Sequence, residues 1–352
     1  MSIHTGKDKV NISIIVCCYN GNDTINSCLE SLLNQKRDQI YIEVVLVDDG
    51  SRDGTADKID VFLEKKDELE KIEFNYFRKE NEGLSIARNF GMEKSKSKII
   101  AFIDEDAIAD RNFSKNIVEI FNKYEDVNCI GGEVLLSNST NSFANLIQNS
   151  IFSFQMKSDT AVIGTNMAFR KKTIKSVGGF QPEFTYRGDE SALFIKGKNI
   201  INIFKSNNVI IHHPQPAKLI FWLKTRYENG YFGAAIYNLD KRTRFAKLKR
   251  LLFSFIQLLF PFISSGFYIF FQLKWFVILS IILYLLFTFK RFFYSKIISN
   301  YVKEYHLNIS GLNLLKDLHI IVIAILGFIY EDYGYLKGYF KYNNTKWKPS
   351  VY

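Results

Sequence analysis

The sequence predicts an α/β domain on a mainly parallel sheet, followed by a membrane-attachment region of C-terminal helices. Three observations carry that reading. Apolar runs of strand length alternate with segments of helical periodicity through residues 1–240. The longest charge-free stretches lie in the last third, where Leu251 to Phe271 gives 21 residues and Trp275 to Phe289 gives 15. Charge divides the same way: residues 1–240 hold 30 Lys+Arg against 32 Asp+Glu, and residues 241–352 hold 16 against 4. The net charge of +10 therefore belongs to the C-terminal third.

In chain order, Ile12–Cys18 reads as a buried strand ending at Tyr19-Asn20-Gly21-Asn22. Asp23 is placed to cap a helix bearing Ile25, Leu29, Leu32 and Leu33 at helical spacing. Tyr41–Val47 is a second strand, closed by Asp48-Asp49-Gly50-Ser51, and Asp53 to Leu69 the next helix. Ile72–Phe77 is a third strand, Leu84–Lys94 a helix, and Ile99–Ile103 a fourth strand running into Asp104-Glu105-Asp106. A further strand, Asn208–Ile211, ends at His212-His213-Pro214. Near-continuous apolar strands in βα alternation indicate a parallel sheet, in which ligands bind at the carboxyl ends of the strands. Here those ends carry aromatic and acidic groups.

Two carboxylates two residues apart suit a hard divalent cation, Mg²⁺ or Mn²⁺, bridging to a diphosphate. The first strand is not followed by GxGxxG, and GxxxxGK[ST] is absent, so dinucleotide and P-loop chemistry are not indicated. Four cysteines without a CxxC pair exclude a disulfide framework or cysteine zinc site and fit a reducing compartment. With 47% hydrophobic and 23% charged residues, the chain is not of disordered type. No apolar run precedes Val10, so no signal peptide is expected.

A helix over 251–271 would extend about 31 Å, the thickness of a bilayer core, and one over 273–290 would complete a hairpin. Lys241, Arg242, Arg244, Lys247, Lys249 and Arg250 precede the first span, and Lys290, Arg291, Lys296 and Lys303 follow the second. Both basic flanks then lie on one side, which the positive-inside rule makes cytoplasmic. A third apolar segment, about 318–336, is expected to be interfacial or re-entrant. Basic residues interleaved with such runs point to anionic lipid headgroups rather than nucleic acid.

The motifs SIIVCCYNGNDTINSCLESLLNQ, VVLVDDGSRDGT, NEGLSIARNFGM, FIDEDA and NMAFRKKTIKSVGGF resemble, in order and spacing, the inverting glycosyltransferases of family 2 with the GT-A fold. The resemblance runs from about Asn11 to Gly233 and is to the membrane-attached bacterial and archaeal enzymes that build surface polysaccharides or lipid-linked glycans. It implies a GT-A catalytic domain over 1–240 and a membrane-attachment region over 241–352. It further implies that Tyr19 lies against a nucleotide base, that Asp49 accepts a hydrogen bond from it, and that Arg88 sits near the donor nucleotide or its diphosphate. Asp104 would contact the ribose side and Asp106 the metal, Mg²⁺ or Mn²⁺, with His213 as a further ligand. Many relatives carry Glu-Asp at the acceptor-side helix; this chain has Asp189-Glu190, with Ala192 at a later acidic position. By register Glu190 takes the place of the base, with Asp189 the alternate.

The expected activity is transfer of a sugar from a nucleotide-sugar to a hydroxyl of a lipid-linked glycan or polysaccharide, at the cytoplasmic face of the membrane. A polyprenyl-phosphate acceptor is already anionic and needs no base, so carboxylates at 189–190 favour a hydroxyl. The rivals are a polyprenyl-phosphate glycosyltransferase of the same fold and a non-catalytic nucleotide-sugar-binding subunit of an assembly complex.

Overall fold

The computed structural model describes residues 11–36, 40–64, 72–138, 162–239 and 314–344, with positions 140, 144–145 and most of 248–255. The chain forms two compact units that part at Gln215 and Pro216.

The first unit is built on an eight-stranded sheet of order β3-β2-β1-β4-β7-β6-β8-β5. Its strands are β1 (Ile12–Cys18), β2 (Ile42–Asp48), β3 (Glu73–Arg78), β4 (Ile99–Asp104), β5 (Ile108–Ala109), β6 (Cys129–Leu136), β7 (Asn166–Arg170) and β8 (Ile203–His213). The β3-β2-β1-β4 half is parallel, as expected, whereas β7 runs antiparallel to both β4 and β6. Every residue of β1 and β2 is buried, so both sheet faces are covered.

The helices of this unit are α1 (Ile25–Leu33), α2 (Thr55–Leu63), α3 (Leu84–Lys94), α4 (Phe113–Lys123), α5 (Lys171–Val177) and α6 (Asp189–Lys196). On one face Ile15, Val45 and Val47 form a core with Ala87 and Met92 of α3, Phe102, Phe169 and Leu193. Alternation sends Ile14, Val16, Val44 and Leu46 to the other face. Gly91 lets α3 lie close on the sheet, since a Cβ there would fall 2.5 Å from Ile15 Cγ2.

Two local expectations change. Helix α1 starts after Thr24, and Asp23 is not its cap. Helix α6 starts after Gly188, whose φ of +85° closes the turn, so Asp189 is its first residue. Strand β8 begins five residues before the predicted Asn208, because Lys205-Ser206-Asn207 interrupts the apolar pattern while the backbone stays paired with β6 around a bulge at Gly132/Glu133.

The second unit contains α7 (Leu219–Leu239) and α8 (Leu314–Asn344). Helix α7, which the sequence reading placed with the catalytic domain, groups here. The two helices meet at glycines: a Cβ on Gly230 would fall 1.9 Å from the Glu331 carbonyl oxygen, and one on Gly334 2.0 Å from that of Tyr227. Arg226 pairs with Glu331, and Arg250 reaches Asp332 at 2.6 Å and Glu331 at 3.3 Å. Asp332 is fully buried and also accepts from Ser254 Oγ at 3.0 Å. The segment expected at about 318–336 is part of the continuous helix α8. Among the described residues no helix is long and apolar enough to cross a membrane. The expected spans at 251–271 and 273–290 lie almost wholly outside the described residues.

Candidate active site

Strand register brings the expected residues to one edge. Cys18 pairs with Asp48, and Cys17 with Asp104, so the chain leaves β1, β2 and β4 at the same level. Tyr19 is 47% exposed there, so it is not a core residue. Asn20 takes a left-handed φ of +57°, tolerated by a short polar side chain. It ties this turn to the next: its amide donates to Ser51 Oγ and its Oδ1 accepts from Arg52 N, both at 2.9 Å.

The adjacent carboxylates after β2 have different duties. Asp48 is fully buried and accepts from Ser51 N at 2.8 Å and from the Tyr76 hydroxyl at 3.2 Å, which makes it part of the turn. Asp49 accepts from Lys79 Nζ at 2.7 Å and from the amides of Glu82 and Gly83 at 3.1 and 2.7 Å. It thereby fixes the loop that enters α3. Lys79 was missed by sequence reasoning, because a single lysine after a strand carries no pattern.

Arg88 lies on α3, 3% exposed, against the rings of Phe102 and Phe180, which pack on each other. One terminal nitrogen donates to Asp189, and the other to Asp104 Oδ1 at 3.0 Å and the Gly164 carbonyl at 3.2 Å. A surface salt bridge is thus excluded. Burial opposes its charge, but Asp189 and Asp104 outweigh that cost and raise its pKa. Arg88 joins the acidic end of β4 to the start of α6, so Asp104 and Asp189 are held by one cation.

Glu190 lies beside that pair. Burial, the Asp189 charge and a hydrogen bond to Asp189 push its pKa up to about 8, while Arg88 pulls it down. Gly164 lines the same spot: a Cβ there would lie 3.3 Å from Arg88 and 3.5 Å from the Glu190 carboxyl carbon. A carboxyl poised near 8 is suited to take a proton from a hydroxyl. Asp189, 1% exposed and committed to Arg88, is instead placed as the partner that tunes it.

Asp104, Asp106 and His213 present ligand atoms within 4.8 Å of one another. His213, from the end of β8, lies with Nε2 3.1 Å from Asp106 Oδ1. Burial disfavours its charge, but the Asp106 hydrogen bond and the Asp106 and Asp104 charges raise its pKa overall. Two carboxylate oxygens and an imidazole nitrogen are a donor set that fits Mn²⁺ or Mg²⁺. His212 is not part of this cluster. Glu105, between the two aspartates in sequence, is pushed up to about 8 by burial and then by the Asp106 and Asp104 charges. A Cβ on Gly21 would fall 2.8 Å from its Cγ, so Glu105 packs against the turn after β1.

Residues 13–178 match the family model described as glycosyl transferase family 2, and residues 99–298 that of glycosyl transferase family group 2. The chain is 38% identical over 95 residues to putative glycosyltransferase EpsH of Bacillus subtilis, covering 27% of this chain and 26% of that one. It is 29% identical over 182 residues to glycosyltransferase AglE of Haloferax volcanii, covering 51% and 58%. The matches thus span less than two thirds of either relative. Mannosyltransferase PcManGT from Pyrobaculum calidifontis, solved with GDP-Man and Mn²⁺, aligns with a TM-score of 0.56 at 15% identity, covering 96% of this chain and 88% of that one. That likeness shows a shared GT-A-like α/β fold. Asp104 and Asp106 fall within both family matches, the second of which takes in more than half of the sequence, and the chain belongs to glycosyl transferase family group 2.

Proposed function

We propose that this glycosyltransferase moves a sugar from a nucleotide-sugar to a hydroxyl of a lipid-linked glycan or polysaccharide, with inversion at the anomeric carbon. The carrying observation is the placement of Glu190 beside the buried Arg88–Asp189 pair, with Arg88 also reaching Asp104 of the acidic cluster. The neighbour that tunes the base and a donor-side carboxylate are thereby held by one side chain.

Asp104, Asp106 and His213 would hold a divalent cation, Mn²⁺ or Mg²⁺, whose chemistry is to neutralise charge on a leaving diphosphate. Tyr19 offers an exposed ring for a nucleotide base. Asp49 orders the loop beside it, and its remaining acceptor capacity is available to the base. Glu190 takes the acceptor proton. Arg88 positions Asp104 and Asp189 and contributes positive potential next to the diphosphate.

The site is proposed to face the cytoplasm at the membrane. Support comes from the charge-free runs and from the basic excess of residues 241–352. The test is a transfer assay with detergent-purified full chain, Mn²⁺, a panel of nucleotide-sugars and lipid-linked acceptors. Sugar transfer with inverted configuration, lost in Glu190→Gln, is expected. Transfer to a polyprenyl phosphate that survives Glu190→Gln would replace the hydroxyl acceptor by a phosphate.

A further inference from the structure

The first unit is nearly neutral in composition, yet one end of its sheet is strongly basic. Lys96, Lys98, Arg170, Lys171, Lys172 and Lys175 line a cleft of about 580 Å³ with Ser97. It lies where β4 begins and β7 ends, with Ile99 paired to Arg170. Asp104 is five residues further along β4, about 17 Å at strand rise, so the cleft is separate from the acidic edge.

The cleft is built rather than incidental. Buried Glu43 accepts from Lys96 N at 2.8 Å, Ser97 N donates to Ser13 Oγ at 3.0 Å, and Ser97 Oγ donates to the Asn11 carbonyl at 2.7 Å. Across it, Lys171 N donates to the Lys98 carbonyl at 2.8 Å, and Lys171 Nζ to the Ser95 carbonyl at 2.7 Å. Arg170 is fixed by the carbonyls of Val127, Phe121 and Tyr124.

Among the described residues, carboxylates do not balance this charge. Lys96 pairs with Glu73, while Glu43 is buried beneath the loop and already hydrogen-bonded by Ser13 and Asn75. Glu43 and Glu93 act on Lys171 only at a distance. Burial, and after it the Lys175 charge, lower the pKa of Lys171. An anion entering the cleft would offset the repulsion between these two lysines.

We infer that this cleft is a second ligand site, which binds a phosphate group through Lys98, Lys171, Lys172 and Lys175. Lysine is a point-charge donor suited to phosphate oxygens. The same chemistry is offered by a soluble phosphate and by an anionic lipid headgroup. The inference does not depend on the proposed transfer reaction.

The test is amine acetylation of the full-length protein read by mass spectrometry, without divalent cations. Inorganic pyrophosphate is compared with chloride at equal ionic strength, and phosphatidylglycerol vesicles with phosphatidylcholine vesicles. Several-fold protection of Lys98, Lys172 and Lys175, with Lys123 and Lys198 unchanged, is expected. Protection by pyrophosphate assigns a soluble anion, and protection by phosphatidylglycerol vesicles alone a headgroup. In Lys172→Glu/Lys175→Glu, both exposed positions, the protection of Lys98 should vanish. Equal acetylation under all four conditions, or Lys98 protection that persists in the double variant, overturns the site.

Discussion

Arg88 and Asp189, 101 residues apart in sequence, form a buried ion pair, and the second terminal nitrogen of Arg88 reaches Asp104 at 3.0 Å. One side chain thus connects the end of β4 to the first turn of α6. Removing Arg88 leaves the buried Asp189 charge without its counterion, which costs far more than an exposed pair contributes, whereas removing Asp189 leaves Arg88 with Asp104.

Arg88→Ala should therefore destabilise the first unit by roughly 3–5 kcal/mol. Asp189→Ala should cost less, because Arg88 keeps Asp104, and the double variant should cost less than the two single variants together, since Asp189 is then not stranded. Denaturant unfolding of the four proteins checks this. Strict additivity would show that the pair is not energetically coupled.

The pH dependence follows from Glu190. Turnover should rise with pH through about 8 as this carboxyl loses its proton, and Glu190→Gln should remove that limb and slow transfer by roughly 10²–10⁴-fold. Stability should run the opposite way. The folded-state pKa lies above the unfolded value of about 4.3, so the contribution is complete below that value and is lost as pH rises through 8. Glu190→Gln should flatten this decline, which thermal unfolding across pH 4–9, a range of about five units spanning both pKa values, will read.

Manganese binding should weaken as pH falls, because a proton competes for His213 and its raised pKa brings that competition in from above the ordinary 6.5. His213→Ala should reduce Mn²⁺ affinity, whereas His212→Ala should leave it nearly unchanged. Electron paramagnetic resonance of free Mn²⁺ separates the two. Equal effects of both substitutions would count against the cluster.

In the second unit, Gly334→Ala places a methyl group 2.0 Å from the Tyr227 carbonyl oxygen on the facing helix. Backbone must move to admit it, so a loss of about 1–3 kcal/mol is expected. Gly233→Ala, on α7 with open space around it, serves as the comparison and should be neutral or stabilising. Thermal unfolding of both variants is sufficient.

Tyr19, Asp49, Asp104 and Asp106 were legible because strand ends in a parallel sheet are marked twice, by the end of an apolar run and by the polar turn that follows. The pairing of Arg88 with Asp189 was not legible: no periodicity relates α3 to α6, and the acid-pair order left Asp189 as an alternate to Glu190. Their burial and partners separate them in space. Lys79 and Gly164 likewise acquire meaning only through the groups they touch. The basic cleft assembles from Lys96–Lys98 and Arg170–Lys175, two unremarkable charge clusters until β4 and β7 pair.

The most direct test of the account is calorimetric binding of nucleoside diphosphates and their sugars to detergent-purified protein, with and without Mn²⁺, in wild type and Asp106→Ala. Metal-dependent binding of one nucleotide class that is lost in Asp106→Ala is the expected result. Absence of nucleotide binding in folded protein, with Mn²⁺ present, would contradict a donor site at Asp104, Asp106 and His213.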